Sequence, residues 1–270
     1  PELTAMDGQP LPGIPRPLAL WRPLRFWGWV VYGGLLLAAV PDFLVDYWFL
    51  QSLGRTAIFW TNFNTQLGLF IIAAVAFGMA VYLPARLHLG RSPGSRVAIH
   101  VGLWTGIFAG WLLARHYLSY LLALHGGAFG AGDPLFGNDL GWYVFRLPAV
   151  RVTLDFLIGL AVIGAVASLV TALAGGKRLI TPALNAALFL LGISLAFRTF
   201  LSRYGLLFKD NGDSGVRTGA DYLDVEGILS TLNLIHVSVL VELGLVAVIG
   251  YALYLAGKGQ AVSRRLLPLG

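Results

Sequence analysis

Glu242 is the residue whose type and setting most invite chemistry. It lies in Leu240-Val241-Glu242-Leu243-Gly244, deep in an apolar stretch. A carboxylate at the centre of a bilayer costs at least about 2.5 kcal/mol by insertion scales, so it is expected to be protonated or to face the protein interior with a partner. Two readings stand side by side: a proton or cation relay, or a neutral acid that hydrogen-bonds between helices or holds another subunit. His236, six residues away, is on a different helical face, so the two form no i,i+4 metal pair. His100 and His236 are the histidines most clearly inside apolar stretches. A buried neutral imidazole could ligate haem iron or chlorophyll magnesium axially; it serves equally as a helix–helix hydrogen bonder.

Arg198 and Arg203 close the fifth apolar block, and Arg115 and His116 close the third. Their expected partners are Asp42, Asp46, Asp155, Asp221 and Asp224. The group reads either as an anion or lipid-headgroup site, or as snorkelling side chains and loop-pinning ion pairs. No His-x-x-x-His, zincin, nucleophile-elbow or P-loop pattern occurs, and no carboxylate cluster suggests metal-assisted hydrolysis. The chain has no cysteine, which excludes disulfides, thiolate metal sites and cysteine nucleophiles. The expectation is a protein that is not an enzyme, without catalytic residues or a metal site.

The elements that hold these residues follow from composition. The chain is 57% hydrophobic and 12% charged, against about 25% charged in an ordinary soluble domain. Its apolar residues come in blocks of about 20, enough to cross ~30 Å of hydrocarbon at 1.5 Å per residue. The expected fold is all-α, a polytopic transmembrane helix bundle of about six spans: 26–45, 65–84, 97–118, 152–174, 182–201 and 228–256. The last is long enough to tilt or to emerge from the membrane. Pro41 is expected to kink or end the first. Six prolines crowd the first 25 residues, with no signal-peptide pattern. Neither a solenoid repeat nor an inverted pair of broken helices is visible.

Charge orients the spans. The segments before the first span, between the second and third, between the fourth and fifth, and after the sixth carry eleven basic residues and two acids. The other side, counting the charged residues at its span ends, has eight basic residues and ten acids. Basic loops stay in the cytoplasm, so both termini are expected there. The chain then divides into a cytoplasmic segment 1–25, a membrane domain 26–256 and a basic cytoplasmic tail 257–270. The longer, extracytoplasmic connections are 46–64, 119–151 and 202–227. Most tryptophans fall near span ends, as an interfacial aromatic belt requires. Short basic clusters between apolar blocks suit topology and no nucleic-acid partner.

The most unusual segment is 133–148, DPLFGNDLGWYVFRLP. Asp-Pro and Gly-Asn are turn dipeptides, and the aromatic run after them suits a short amphipathic piece lying in the interface before the fourth span. Asp133, Phe136, Asp139 and Tyr143 are its interaction candidates. This segment closely resembles the DP-(I/L)-FG-x-D-(I/L)-x-(F/W)-Y-x-F-x-LP signature of the UPF0182 family of bacterial membrane proteins. A second stretch, Arg203-Tyr204-Gly205-Leu206-Leu207 followed by Gly219, Tyr222, Asp224 and Val225, resembles that family's RYxLLY…GAxYTDV segment. The run Phe59-Trp60-Thr61-Asn62-Phe63-Asn64-Thr65-Gln66-Leu67-Gly68 is a third, weaker match. The resemblance covers roughly residues 55–260. It adds Arg203, Tyr204, Tyr222 and Asp224 to the candidates and implies seven spans followed by a large extracytoplasmic domain. This chain departs from that pattern after its sixth span, so a fragment, or a trimmed relative keeping the membrane part, is expected. The family supplies no catalytic residues.

The functional expectation is a non-catalytic membrane subunit that packs against a larger assembly, of respiratory or photosynthetic type, through its spans and outer loops. Its partners would be the lipid bilayer and other membrane subunits. The alternatives are a transporter or channel component using Glu242 and, further off, a subunit binding chlorophyll or haem through His100 or His236.

Overall fold

A computed structural model describes residues 21–176, 181–209, 219–220 and 224–257. Its helices are α1 (Trp21–Ser52), α2 (Thr56–Leu89), α3 (Pro93–Ala114), α4 (Tyr117–His125), α5 (Leu147–Ala174), α6 (Pro182–Ser202) and α7 (Ser230–Gly257). A π-helical turn, Trp142–Arg146, leads into α5, and another, Asp224–Leu229, leads into α7. A 3-10 turn, Arg203–Phe208, continues α6. The described residues form no named strand, only an isolated antiparallel bridge between Gly132 and Asp139.

Among the described residues, five helical segments are long and apolar enough to cross a membrane: Thr56–Leu89, Pro93–Ala114, Trp142–Ala174, Pro182–Phe208 and Asp224–Leu245. Large apolar side chains face outward along them, among them Ile72, Val75, Phe108, Val170 and Leu173. Water does not tolerate a continuous apolar exterior of that extent, and hydrocarbon does.

Hydropathy located the helices and misjudged several ends. The expected 46–64 connection is helical apart from a turn at Leu53-Gly54-Arg55, where Gly54 has φ +65°. α1 runs on past Pro41 to Ser52 rather than ending there. The first span also begins earlier than expected, because Trp21–Arg25 already belong to α1. The expected 119–151 loop shrinks, since α4 occupies its start and α5 its end. The aromatic run expected as a separate interfacial piece is instead the π turn fused to α5. In each case backbone hydrogen bonding carries the helix beyond its apolar block.

The chain forms two compact units that divide after Phe63. In the first, α1 meets the start of α2 through edge-on rings: Phe43 and Phe59 at 5.0 Å, Tyr47 and Phe59 at 5.3 Å, Phe43 and Phe63 at 5.3 Å. In the second, α2 and α3 approach through glycine. A Cβ on Gly106 would lie 2.4 Å from the Ala74 carbonyl oxygen, and one on Gly110 2.7 Å from that of Phe70. A Cβ on Gly102 would lie 2.8 Å from the carbonyl oxygen of Gly78. Small residues four apart allow backbones this close where lipid removes any hydrophobic drive to associate. α6 packs against both α5 and α7, and Gly192 leaves room for Leu243. Near the C-terminal end of α5, His88 Nδ1 lies 2.9 Å from Thr171 Oγ1, joining α2 to α5.

Candidate functional site

The residues picked out in 133–148 build a closed cap at one end of the second unit. Asp133 is buried and its carboxylate is the hub. Oδ1 accepts the backbone N–H of Leu135 at 2.9 Å and of Phe136 at 2.7 Å. Oδ2 accepts the N–H of Asn138 at 3.0 Å and the Tyr143 hydroxyl at 2.5 Å. Asn138 Nδ2 donates to Tyr143 Oη at 3.1 Å, which closes the ring. An Asp before a turn folds this way because its short side chain satisfies N–H groups that the reversal leaves unpaired. Gly137, at φ +70°, supplies the left-handed residue that completes the reversal. Burial pushes the Asp133 carboxyl up, but the Tyr143 hydroxyl and the three N–H donors together outweigh it and hold it below the usual value of 3.8.

Asp139 performs the same task one turn later. It accepts the N–H of Phe129 at 2.9 Å, of Gly141 at 2.7 Å and of Gly130 at 2.8 Å. These donors, Phe129 foremost, lower its carboxyl below 3.8. Both acids therefore serve as acceptors for backbone N–H groups.

The second motif joins the first in space. The Tyr204 ring sits 5.0 Å from Phe136, 4.8 Å from Trp142 and 5.6 Å from Tyr143. Phe208 reaches Tyr143 at 6.3 Å. Beneath these rings Tyr143, Leu147, Leu154 and Leu201 form a buried cluster, with Trp142, Tyr204 and Leu207 packed against it. Asp133, Phe136, Tyr143 and Tyr204 are thus one assembly. Arg203 lies beside it, its guanidinium 3.6 Å from the Phe200 ring centre and its Nε donating to the Phe200 carbonyl at 3.0 Å.

Of the arginine pairings expected, one forms and one is replaced. Arg198 pairs with Asp155, one of its anticipated partners. Asp224, also anticipated for an arginine, instead accepts Lys209 Nζ at 2.6 Å. Asp224 is fully buried, and the short aliphatic reach from the end of the 3-10 turn brings the ammonium to it. Arg115 lies 5.0 Å from the Trp111 ring centre. His100 is half-buried on α3. Glu242 and His236 belong to α7, and their side chains, like the whole of Tyr222, lie outside the described residues. Among the described residues no three His, Asp or Glu side chains converge on a metal position. Asn138, which closes the Asp133 ring, was not singled out in the sequence, although its place in the Gly-Asn turn dipeptide pointed to it.

The sequence has counterparts among known proteins. The model of the uncharacterised protein family UPF0182 matches residues 26–260. The chain belongs to the UPF0182 family. A UPF0182 protein of Thermobifida fusca is 30% identical over 255 residues, covering 82% of this chain and 25% of that protein. UPF0182 proteins of Mycolicibacterium vanbaalenii and a Synechococcus strain are each 31% identical, covering 72% and 80% of this chain. The chain thus spans about a quarter of the length of these UPF0182 relatives. No solved structure matches it.

Proposed function

We propose that the chain is a non-catalytic membrane module. In this reading it crosses a bacterial inner membrane six times, with both termini in the cytoplasm. It presents the Asp133–Tyr204 cap on the far side as a docking platform for a larger membrane assembly. The observation that carries this is the saturation of Asp133: a carboxylate surrounded by three N–H donors and a phenol fixes a surface in shape and is not free to move protons. Around it Phe129, Leu140, Val144 and Phe208 leave large apolar faces exposed, the composition an interface core favours. Blue-native electrophoresis of mildly solubilised native membranes tests the reading. The expected outcome is a complex well above the 29.1 kDa chain that dissociates when Phe129 and Phe208 are replaced by serine. Migration only as the free chain with its detergent overturns it.

A second reading, a transporter or channel component, rests on Glu242 within the apolar helix α7. Liposome flux separates the two: Glu242→Gln abolishes a proton- or cation-coupled flux in a transporter and changes nothing in a docking module.

A further inference from the structure

Asp155 stands on α5 between two hollows of different character. On one side an apolar groove of about 440 Å³ runs between α3 and α5, lined by Phe77, Phe108, Leu112, Leu113, Phe156 and Ile163 among others. It closes at one end on His116 and Asp155. On the other side a smaller hollow of about 340 Å³ is lined by Arg151, Leu154, Asp155, Arg198, Leu201, Ser202 and Gly205. Asp155 belongs to both walls, so the apolar groove and the polar hollow are neighbours across a single side chain.

The charges of the polar hollow do not cancel. Arg198 is paired with Asp155, and Arg151, one helical turn before Asp155, brings a second positive charge with no carboxylate of its own among the described residues. The hollow therefore carries a net charge of one positive unit, which matches one phosphodiester. Arginine suits that group, because its planar fork of donors meets two phosphate oxygens at once. An apolar groove beside a singly cationic recess, at the end of helices apolar enough to cross a membrane, has the two-part chemistry of a glycerophospholipid. The groove size falls within the range of ligand pockets.

We propose that this paired site holds one phospholipid with an anionic headgroup. Its phosphodiester lies on Arg151 and Arg198, and one acyl chain lies in the groove beside Phe108 and Phe156. The match in net charge favours a lipid such as phosphatidylglycerol over a zwitterionic one. The inference needs neither a protein partner nor the docking role of the cap.

Native mass spectrometry of the whole chain tests it, after delipidation in mild detergent and titration with phosphatidylglycerol or phosphatidylcholine. The expected result is one saturable phosphatidylglycerol adduct, favoured over phosphatidylcholine. Arg151→Gln should lower its affinity about tenfold, the scale of one lost charge-assisted contact. Arg151 gives up no ion pair in that change, and unaltered helical circular dichroism verifies the fold. Gly159→Leu should weaken the adduct from the groove side, since Gly159 lines the groove with only Phe77 in ordinary contact range. Arg86→Gln, on α2 and outside both hollows, should leave the adduct unchanged. Equal binding of the two lipids by the unaltered chain would mean an unselective lipid annulus and overturn the proposal. So would a folded Arg151→Gln chain that keeps the preference.

Discussion

The cap and the α2–α3 seam solve opposite problems with opposite means. The cap lies where the chain must reverse, so its backbone N–H groups have no helical partners; Asp133 and Asp139 supply those partners, and aromatic rings close over them. The seam lies within two helices whose backbone groups are already satisfied, so it needs no polar side chain. It needs the absence of side chains, at Gly102, Gly106 and Gly110. Stability in the cap comes from filling hydrogen bonds, and stability in the seam from close van der Waals approach. The two should fail differently, the cap on losing an acceptor and the seam on gaining a methyl group.

The largest break should come from Asp133→Ala. It leaves three backbone N–H groups and the Tyr143 hydroxyl without their acceptor in a buried position. A loss of about 3–5 kcal/mol is expected, read by denaturant titration in detergent. Hydrogen exchange should locate it in residues 126–146 while α2 and α3 stay protected. Asp133→Asn keeps one carbonyl acceptor and should lose visibly less. If exchange rises equally in α3, the cap is not a separate structural unit.

The seam gives the next effect, with its own internal control. Gly106→Val places a side chain against the Ala74 backbone, where not even a Cβ fits, and should cost about 1–3 kcal/mol or more. Gly68, on the same α2, has nothing within 4 Å of an added Cβ. Gly68→Ala should therefore stabilise by about 0.5–1 kcal/mol, the ordinary gain of alanine over glycine inside a helix. Thermal unfolding in one detergent, both variants side by side, measures the contrast. A seam that tolerates valine would mean that α2 and α3 are free to separate.

How much of this was legible depends on whether the signal is local. Asp133, Phe136, Asp139 and Tyr143 announced themselves through Asp-Pro, Gly-Asn and an aromatic run within one short segment. That Tyr204 packs on Trp142 is a tertiary fact no local pattern encodes. α6 was placed almost to the residue by its apolar block, because that block starts where Thr181 caps the helix by accepting the Leu184 N–H at 3.2 Å and Pro182 opens it. The start of α2 was missed because Thr61, Asn62 and Asn64 lower the hydropathy without ending the helix. Hydropathy reports the average polarity of a segment, and a helix that continues through polar residues is invisible to it. The spacing of Gly102, Gly106 and Gly110, four residues apart, was readable as a seam and went unread. His88 was overlooked among the basic residues at the end of α2, although it bonds to Thr171 on α5.

Acid should sharpen the comparison. Asp133 and Asp139 both have carboxyls lowered from 3.8, so each binds a proton more weakly in the folded chain than in the unfolded one. Their contribution is fully present above the unfolded value and is lost as pH falls through the depressed folded values. The cap should therefore loosen below about pH 4, seen as faster hydrogen exchange in 126–146, while the seam, which has no acid, should not respond over the same window. Equal loss of protection in both regions would show that the two do not respond separately.

The smallest effect is expected at Arg198–Asp155. The pair looks persuasive by proximity, yet both side chains are more than half exposed, at 58% and 54%. Exposed pairs contribute about 0–1 kcal/mol, because water and salt screen the attraction and two long side chains lose rotamer freedom. A double-mutant cycle of Arg198→Gln and Asp155→Asn in lipid-free detergent should give a coupling energy within that range, shrinking as salt rises. A coupling well above 1 kcal/mol and insensitive to salt would mean that the pair is shielded from solvent. It would then belong with the cap's satisfied carboxylates, and its polar hollow would be a structural element in its own right.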